Sequence, residues 1–103
     1  MPGSILNSRT EVGRHCILNT NSSIDHDCII GDYVHIAPAA ALAGSVIVGE
    51  GTEIGTGAIV IPGIKIGKWC KIGAGAVIVR DVPDGTVSVG VPGRVTRHLE
   101  FNF

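Results

Sequence analysis

Thirteen aliphatic residues recur at an unbroken interval of six: Leu6, Val12, Leu18, Ile24, Ile30, Ile36, Leu42, Val48, Ile54, Val60, Ile66, Ile72 and Ile78. An α-helix repeats its buried face every 3.6 residues and a strand every second residue, so neither imposes this period. A chain that keeps it through most of its length must return to the same place at fixed steps. The architecture that does so is a solenoid of six-residue β-repeats, whose units stack only on their neighbours.

Taking each recurring aliphatic as position i, the residues at i+4 include Cys16, Ser22, Cys28, Val34, Ala40, Val46, Thr52, Ala58, Ile64, Cys70, Ala76 and Val82. Most are small. Each lies two residues before the next i, and side chains two apart share one side of a strand. Both positions therefore point inward, with a corner at i+2 and i+3. Glycine recurs at i+1 (Gly13, Gly31, Gly49, Gly55, Gly67, Gly73), where it suits a chain about to turn sharply. All three cysteines fall at i+4 and read as small core residues.

Three units closing a triangular coil is the economical arrangement. Residues eighteen apart then stack at roughly 4.8 Å. The fold class expected is all-β: a parallel β-helix over residues 1–82, a little over four coils, followed by a short tail over residues 83–103. The next i position falls on Asp84, a charge where the core needs an aliphatic, and Asp81-Val82-Pro83-Asp84-Gly85 carries turn residues. Thr86 to Val89 reads as extended, Gly90-Val91-Pro92-Gly93 as a turn, and residues 94–103 as a short end with a helical turn or two.

A 103-residue chain with net charge −1 and no basic run excludes nucleic acid as a natural partner. It has no apolar stretch of eighteen residues and no signal peptide, so no membrane partner is expected and the location expected is cytoplasmic. Three cysteines without CxxC spacing exclude a disulfide framework or zinc ribbon.

Stacking by eighteen sorts the corners into columns. Arg14, Asp32, Glu50 and Lys68, with Tyr33 and Trp69 beside them, form a charged, solvent-facing corner. Thr20, Pro38, Thr56 and Ala74 form a second; Ser8, His26, Gly44 and Pro62 a third. On one face the outward residues Ala41, Ala43, Ile59, Ile61, Val77 and Val79 are all apolar, which marks an interface. A small solenoid needs such help, and cyclic closure satisfies every subunit equally, so a homotrimer is expected.

Polar groups concentrate around His26, which is flanked by Asp25 and Asp27. A carboxylate beside a histidine can fix the ring's tautomer and strengthen it as a general base. Asp27, in the same corner, is better placed for this than Asp25. The competing reading is a solvated surface histidine, and His35 too reads as a surface residue. Gly44, one coil on from His26, leaves a backbone N–H able to hold a developing oxyanion. His15, His26, His35 and His98 lack metal-ligand spacing, so no metal is expected. Tyr33 and Trp69 read as exposed packing residues.

These motifs resemble the hexapeptide left-handed β-helix acetyltransferases, closest to the sialic acid O-acetyltransferase and UDP-amino-sugar N-acetyltransferase group. The resemblance is carried by Asn19-Thr20, Asp25-His26-Asp27-Cys28, Gly31 to Ile36, Ala43-Gly44, Gly55-Thr56-Gly57-Ala58, Val60-Ile61-Pro62-Gly63 and Gly90-Val91-Pro92. It implies a left-handed coil, with His26 as general base and Asp27 supporting it. Asn19 is implied to line the substrate pocket, and His35 with the amides near Gly44, Thr56 and Ala74 to contact acetyl-CoA. The turn Gly90-Val91-Pro92 matches the group's end signature, with Gly93 where alanine is usual. A sugar or nucleotide sugar is implied as acceptor. The group's N-terminal acceptor-binding domain has no counterpart here, because the chain enters the repeat at once. A non-catalytic trimeric scaffold or remnant that keeps CoA binding is the alternative reading.

Overall fold

The computed structural model describes residues 9–99 and the backbone of residues 5–6. Ser8, the Leu6 side chain and residues 100–103 lie outside the described residues. Two-residue strands follow one another at steps of six: β1 (Ile5–Leu6), β2 (Glu11–Val12), β3 (Ile17–Leu18), β4 (Ser23–Ile24), β5 (Ile29–Ile30), β6 (His35–Ile36), β7 (Ala41–Leu42), β8 (Ile47–Val48), β9 (Glu53–Ile54), β10 (Ile59–Val60), β11 (Lys65–Ile66), β12 (Lys71–Ile72) and β13 (Val77–Ile78). Two longer strands, β14 (Thr86–Val89) and β15 (Arg94–His98), complete the described fold.

The strands form three parallel sheets that wall a triangular coil. Sheet A orders β1-β4-β7-β10-β13, sheet B β2-β5-β8-β11, and sheet C β3-β6-β9-β12-β14-β15. The register is eighteen residues throughout the repeat: Ile24 lies beside Leu42, Ile30 beside Val48 and Ile36 beside Ile54. Main-chain bonds tie each coil to the next, as from Ile29 N–H to the Val46 carbonyl at 3.0 Å and Gly31 N–H to the Val48 carbonyl at 2.8 Å.

The inward columns close as the period requires. Every i residue from Ile24 to Ile78 is buried, as are the i+4 residues from Ser22 to Val82. At the N-terminal end Val12 is 37 % exposed. Each fully covered Ile, Leu or Val contributes about 1.5–3 kcal/mol. The i+4 threonines bond to main chain of a neighbouring coil, Thr10 Oγ1 donating to the Asp25 carbonyl at 2.8 Å. Thr52 Oγ1 donates to the Gly67 carbonyl at 2.6 Å and accepts from Cys70 N–H at 3.1 Å.

The glycines at i+1 do not make the turn. The left-handed residue is at i+3, where Asn21, Asp27, Tyr33, Ser45 and Trp69 all have φ near +60°. There the N–H reaches back one coil, as from Tyr33 to the Arg14 carbonyl at 2.9 Å. Glycine at i+1 serves close approach instead. A Cβ on Gly49 would stand 2.6 Å from the Gly67 carbonyl carbon, and one on Gly31 2.8 Å from the Glu50 nitrogen.

At the C-terminal end the two aspartates replace a lost coil. Asp81 accepts from Lys65 N–H at 2.9 Å and Asp84 from Lys68 N–H at 2.8 Å. The parallel pairing then resumes, with Ile72 beside Ser88. Residues 94–98, expected to include a helical turn, are strand β15, which pairs antiparallel with β14 after a turn containing the cis Val91–Pro92 bond. The exposed edge of β14 offers a row of main-chain partners that a single helical turn cannot match.

In the charged corner, Arg14 N–H donates to Asp32 Oδ1 at 2.7 Å and its guanidinium to Oδ2 at 3.1 Å. The amide first, and then the guanidinium, hold the Asp32 carboxyl below the usual carboxylate range. A carboxyl with a depressed native pKa adds stability above its unfolded value and loses it as pH falls through the native one. Replacing Asp32 by Ala should therefore lower the melting temperature at pH 7. The gap from wild type should narrow as pH falls below the ordinary carboxylate range and the Asp32 carboxyl becomes protonated, as thermal unfolding across pH would show.

Candidate functional site

The sequence candidates gather at two corners on opposite edges of sheet A. The first corner joins β4 to β5 and holds His26 and Asp27. Asp25 Oδ1 accepts from His26 N–H at 2.7 Å, which fixes the turn rather than the ring. Asp27, in the left-handed position, turns its carboxylate to the imidazole, with Oδ2 3.1 Å from Nδ1. A carboxylate only accepts, so Nδ1 carries the proton and Nε2 is left as the free end of the neutral ring.

The ring lies on Gly44 of the next coil. A Cβ there would meet Cε1 at 2.8 Å and Nε2 at 2.9 Å. The Gly44 amide donates no hydrogen bond among the described residues. The Nε2 end of the ring and the Gly44 backbone are thus in close contact, and the N–H of that backbone is unused among the described residues. They open into a cleft of about 410 Å³ lined by Asp25, His26, Ala43, Gly44, Ser45, Pro62 and Gly63. A smaller hollow of about 340 Å³ continues over sheet A, floored by Ala41, Ala43 and Ile59.

One contributor escaped the sequence reading. Arg9 sits eighteen residues before Asp27, in the same corner column. Its Nε lies 3.0 Å from Asp27 Oδ1 and one terminal nitrogen 3.2 Å from Oδ2. The eighteen-residue stacking rule applied to Asp27 would have found it.

The second corner joins β3 to β4 and carries the column of Pro38, Thr56 and Ala74. Asn19, at the end of β3, and His35, outward on β6, meet here at 2.7 Å from Nδ2 to Nε2. The amides of Thr56 and Ala74 donate to nothing among the described residues, so this corner also offers free N–H groups. Within one chain, then, His26, Asp27 and Gly44 form one cluster, and Asn19, His35, Thr56 and Ala74 another. Sheet A separates them.

Cys28 is beside His26 in sequence but points into the core. Its Sγ lies 3.2 Å from the Ala43 carbonyl, and burial pushes its thiol up, which removes thiolate at neutral pH. Among the described residues no three His, Cys, Asp or Glu side chains converge as metal ligands.

Known proteins share this repeat. Residues 9–44 and 45–80 each match the family described as bacterial transferase hexapeptide (six repeats). A variant of perosamine N-acetyltransferase from Caulobacter crescentus, in complex with CoA and GDP-perosamine, is 44% identical with a TM-score of 0.91; the match covers 92% of this chain and 45% of that one. The acetyltransferase domain of PglB from Neisseria gonorrhoeae, in complex with acetyl coenzyme A, is 29% identical with a TM-score of 0.78, covering 90% and 54%. A serine acetyltransferase in complex with CoA is 31% identical with a TM-score of 0.81, covering 85% and 39%. The chain thus spans about half the length of these structures or less.

The His26–Gly44 contact is directly testable. Replacing Gly44 by Ala should swing the ring away from Asp27 while leaving the main-chain ladder intact. A displaced reacting group of this kind costs on the order of 10²-fold in rate. For the CoA-dependent transfer proposed below, that loss is expected in kcat, with an unfolding midpoint close to wild type; full activity would show that the ring can work from another position.

Proposed function

The chain belongs to the bacterial transferase hexapeptide family, and on that premise we propose that it is an acetyl-CoA-dependent acetyltransferase acting on an amine or hydroxyl of a sugar or nucleotide sugar. The observation that carries this reading is the juxtaposition of a histidine acceptor nitrogen, a supporting carboxylate and an unused main-chain N–H at one cleft. The relatives support the choice of donor and acceptor class: one holds CoA together with a nucleotide sugar, another acetyl-CoA.

In this mechanism His26 Nε2 takes the proton from the acceptor nitrogen or oxygen as that atom attacks the thioester carbonyl carbon. The electron pair moves onto the carbonyl oxygen, where the Gly44 N–H stabilises the charge. The intermediate collapses, the carbon–sulfur bond breaks, and the leaving thiolate recovers the proton from His26. Asp27 keeps the imidazole oriented and balances its charge while it is protonated. Neither the acetyl group nor the acceptor is ever bonded to the protein.

The site is completed by a second subunit. The outward side of sheet A is apolar at Ala41, Ala43, Ile59, Ile61, Val77 and Val79, with Ile59 47 % exposed. Sheets B and C carry Glu11, Lys65, Glu53 and Lys71 in outward positions, so they make poorer faces to bury. A homotrimer closed through sheet A would bring the His26 corner of one subunit against the Asn19–His35 corner of the next. That arrangement explains why one chain shows two half-sites.

Calorimetric titration with acetyl-CoA needs no knowledge of the acceptor. Saturable binding near one site per chain is expected, and a folded assembly that binds none would overturn the reading. Replacing His26 by Ala should leave that binding intact and lower kcat by about 10²–10⁴-fold, the usual contribution of a general base. For the assembly, replacing Ile59 by Asp places an unpaired charge in the buried face. Light scattering should then report smaller species, whereas an unchanged mass would assign the interface to another face.

A further inference from the structure

The Asn19–His35 contact determines more than proximity. The Asn19 side-chain nitrogen lies 3.1 Å from the Ile36 carbonyl oxygen, and the Asn19 main-chain N–H donates to that same oxygen at 3.0 Å. A carbonyl oxygen can only accept. The end of the amide facing it must therefore be the NH2 group, which settles an assignment that atomic positions alone leave open. The backbone that carries this side chain is fixed in turn, because the Asn19 main-chain carbonyl accepts from the buried Ser22 hydroxyl at 2.6 Å and from Ser22 N–H at 3.1 Å.

That NH2 group is also the one 2.7 Å from His35 Nε2. An amide NH2 only donates, so Nε2 must present its lone pair. A proton there would set two donors head to head. We propose that Asn19 is a positioning residue that locks His35 as the neutral ring with its proton on Nδ1. His35 then serves the acetyl donor as a fixed hydrogen-bond donor and is barred from acting as a second proton acceptor.

The two histidines of the composite site thus carry their protons on the same atom and show opposite ends. His26 has Nδ1 tied to Asp27 and offers a lone pair at Nε2. His35 has Nε2 tied to Asn19 and offers N–H at Nδ1, which bonds to no group among the described residues. One ring can take a proton from the acceptor. The other can only donate a hydrogen bond, as an acceptor oxygen of acetyl-CoA requires. This division of labour rests on the acetyl-transfer reading, but the tautomer itself does not.

The decisive measurement is long-range proton–nitrogen correlation NMR on protein labelled with 15N-histidine, with the His35 signals identified by their loss in His35→Gln. Wild type should show His35 protonated at Nδ1 above neutral pH. Asn19→Ala should release the ring to the Nε2–H form that free imidazole side chains favour. Asn19→Asp, nearly the same shape, offers Nε2 an acceptor and should place the proton there. In steady-state assays Asn19→Asp should lower kcat by about 10²-fold, the cost of losing a donor that shares the developing oxyanion with the Gly44 N–H, with the KM of the acceptor little changed. An Nε2–H ring in wild type, or a tautomer unmoved in both variants, would overturn the lock. A locked ring with wild-type kcat in Asn19→Asp would overturn its catalytic part. No acetyl transfer by wild type, with the lock present, would overturn the acetyl-transfer reading and leave the tautomer standing.

Discussion

Each two-residue strand of the repeat is held by main-chain hydrogen bonds to strands whose register is eighteen positions away. No helix or local hairpin stabilises a strand of two residues, and two residues bury too little to hold a shape alone. The ladder makes the fold cooperative: a coil exists because its neighbours do. It also makes the backbone spacing strict. Coils approach until a Cβ at Gly31 or Gly49 would overlap the next main chain, so glycine there is a condition of stacking. The same ladder sets every side chain over its counterpart in the next coil, which is how Arg9 comes to Asp27 and His26 to Gly44.

A site built on such columns differs from a pocket inside a globular domain. The solenoid's interior is filled, so chemistry sits on corners, where an outward side chain and an unused N–H can meet. At the His26 corner the turn is fixed by Asp25 and the ring by Asp27, two carboxylates with separate tasks. At the opposite edge of sheet A the Asn19 side chain links main chain to His35. Both rings are held from one nitrogen, and the rigid ladder fixes where the other nitrogen points.

The period alone made the core, the strands and the corner columns legible, because inward and outward positions follow from six-residue arithmetic. The polar corner itself pointed to His26, Asp27 and Gly44, the family resemblance added Asn19 and His35 as candidates, and the columns showed which candidates stack. What the sequence did not disclose depends on contacts rather than periods. The role of glycine at i+1 was misread as turning because both turning and close approach favour glycine; only the positions of neighbouring atoms distinguish them. The Arg9–Asp27 pair was missed because a surface arginine carries no signal until its column is traced. Strand β15 was read as a helical turn because its pairing with β14 is an antiparallel contact outside the repeat.

That last strand bears on how a stack of identical layers stops. A parallel solenoid ends in a row of unpaired amides and carbonyls, the template on which another copy could continue the pile. Here β15 crosses that row in the opposite direction, and its own outer edge carries Arg94, Arg97 and His98, all exposed. A second molecule arriving in parallel would find the wrong polarity and the exposed cations of Arg94 and Arg97. The strand works as a terminator: it lets a repetitive architecture grow to a set height without becoming the seed of a fibre.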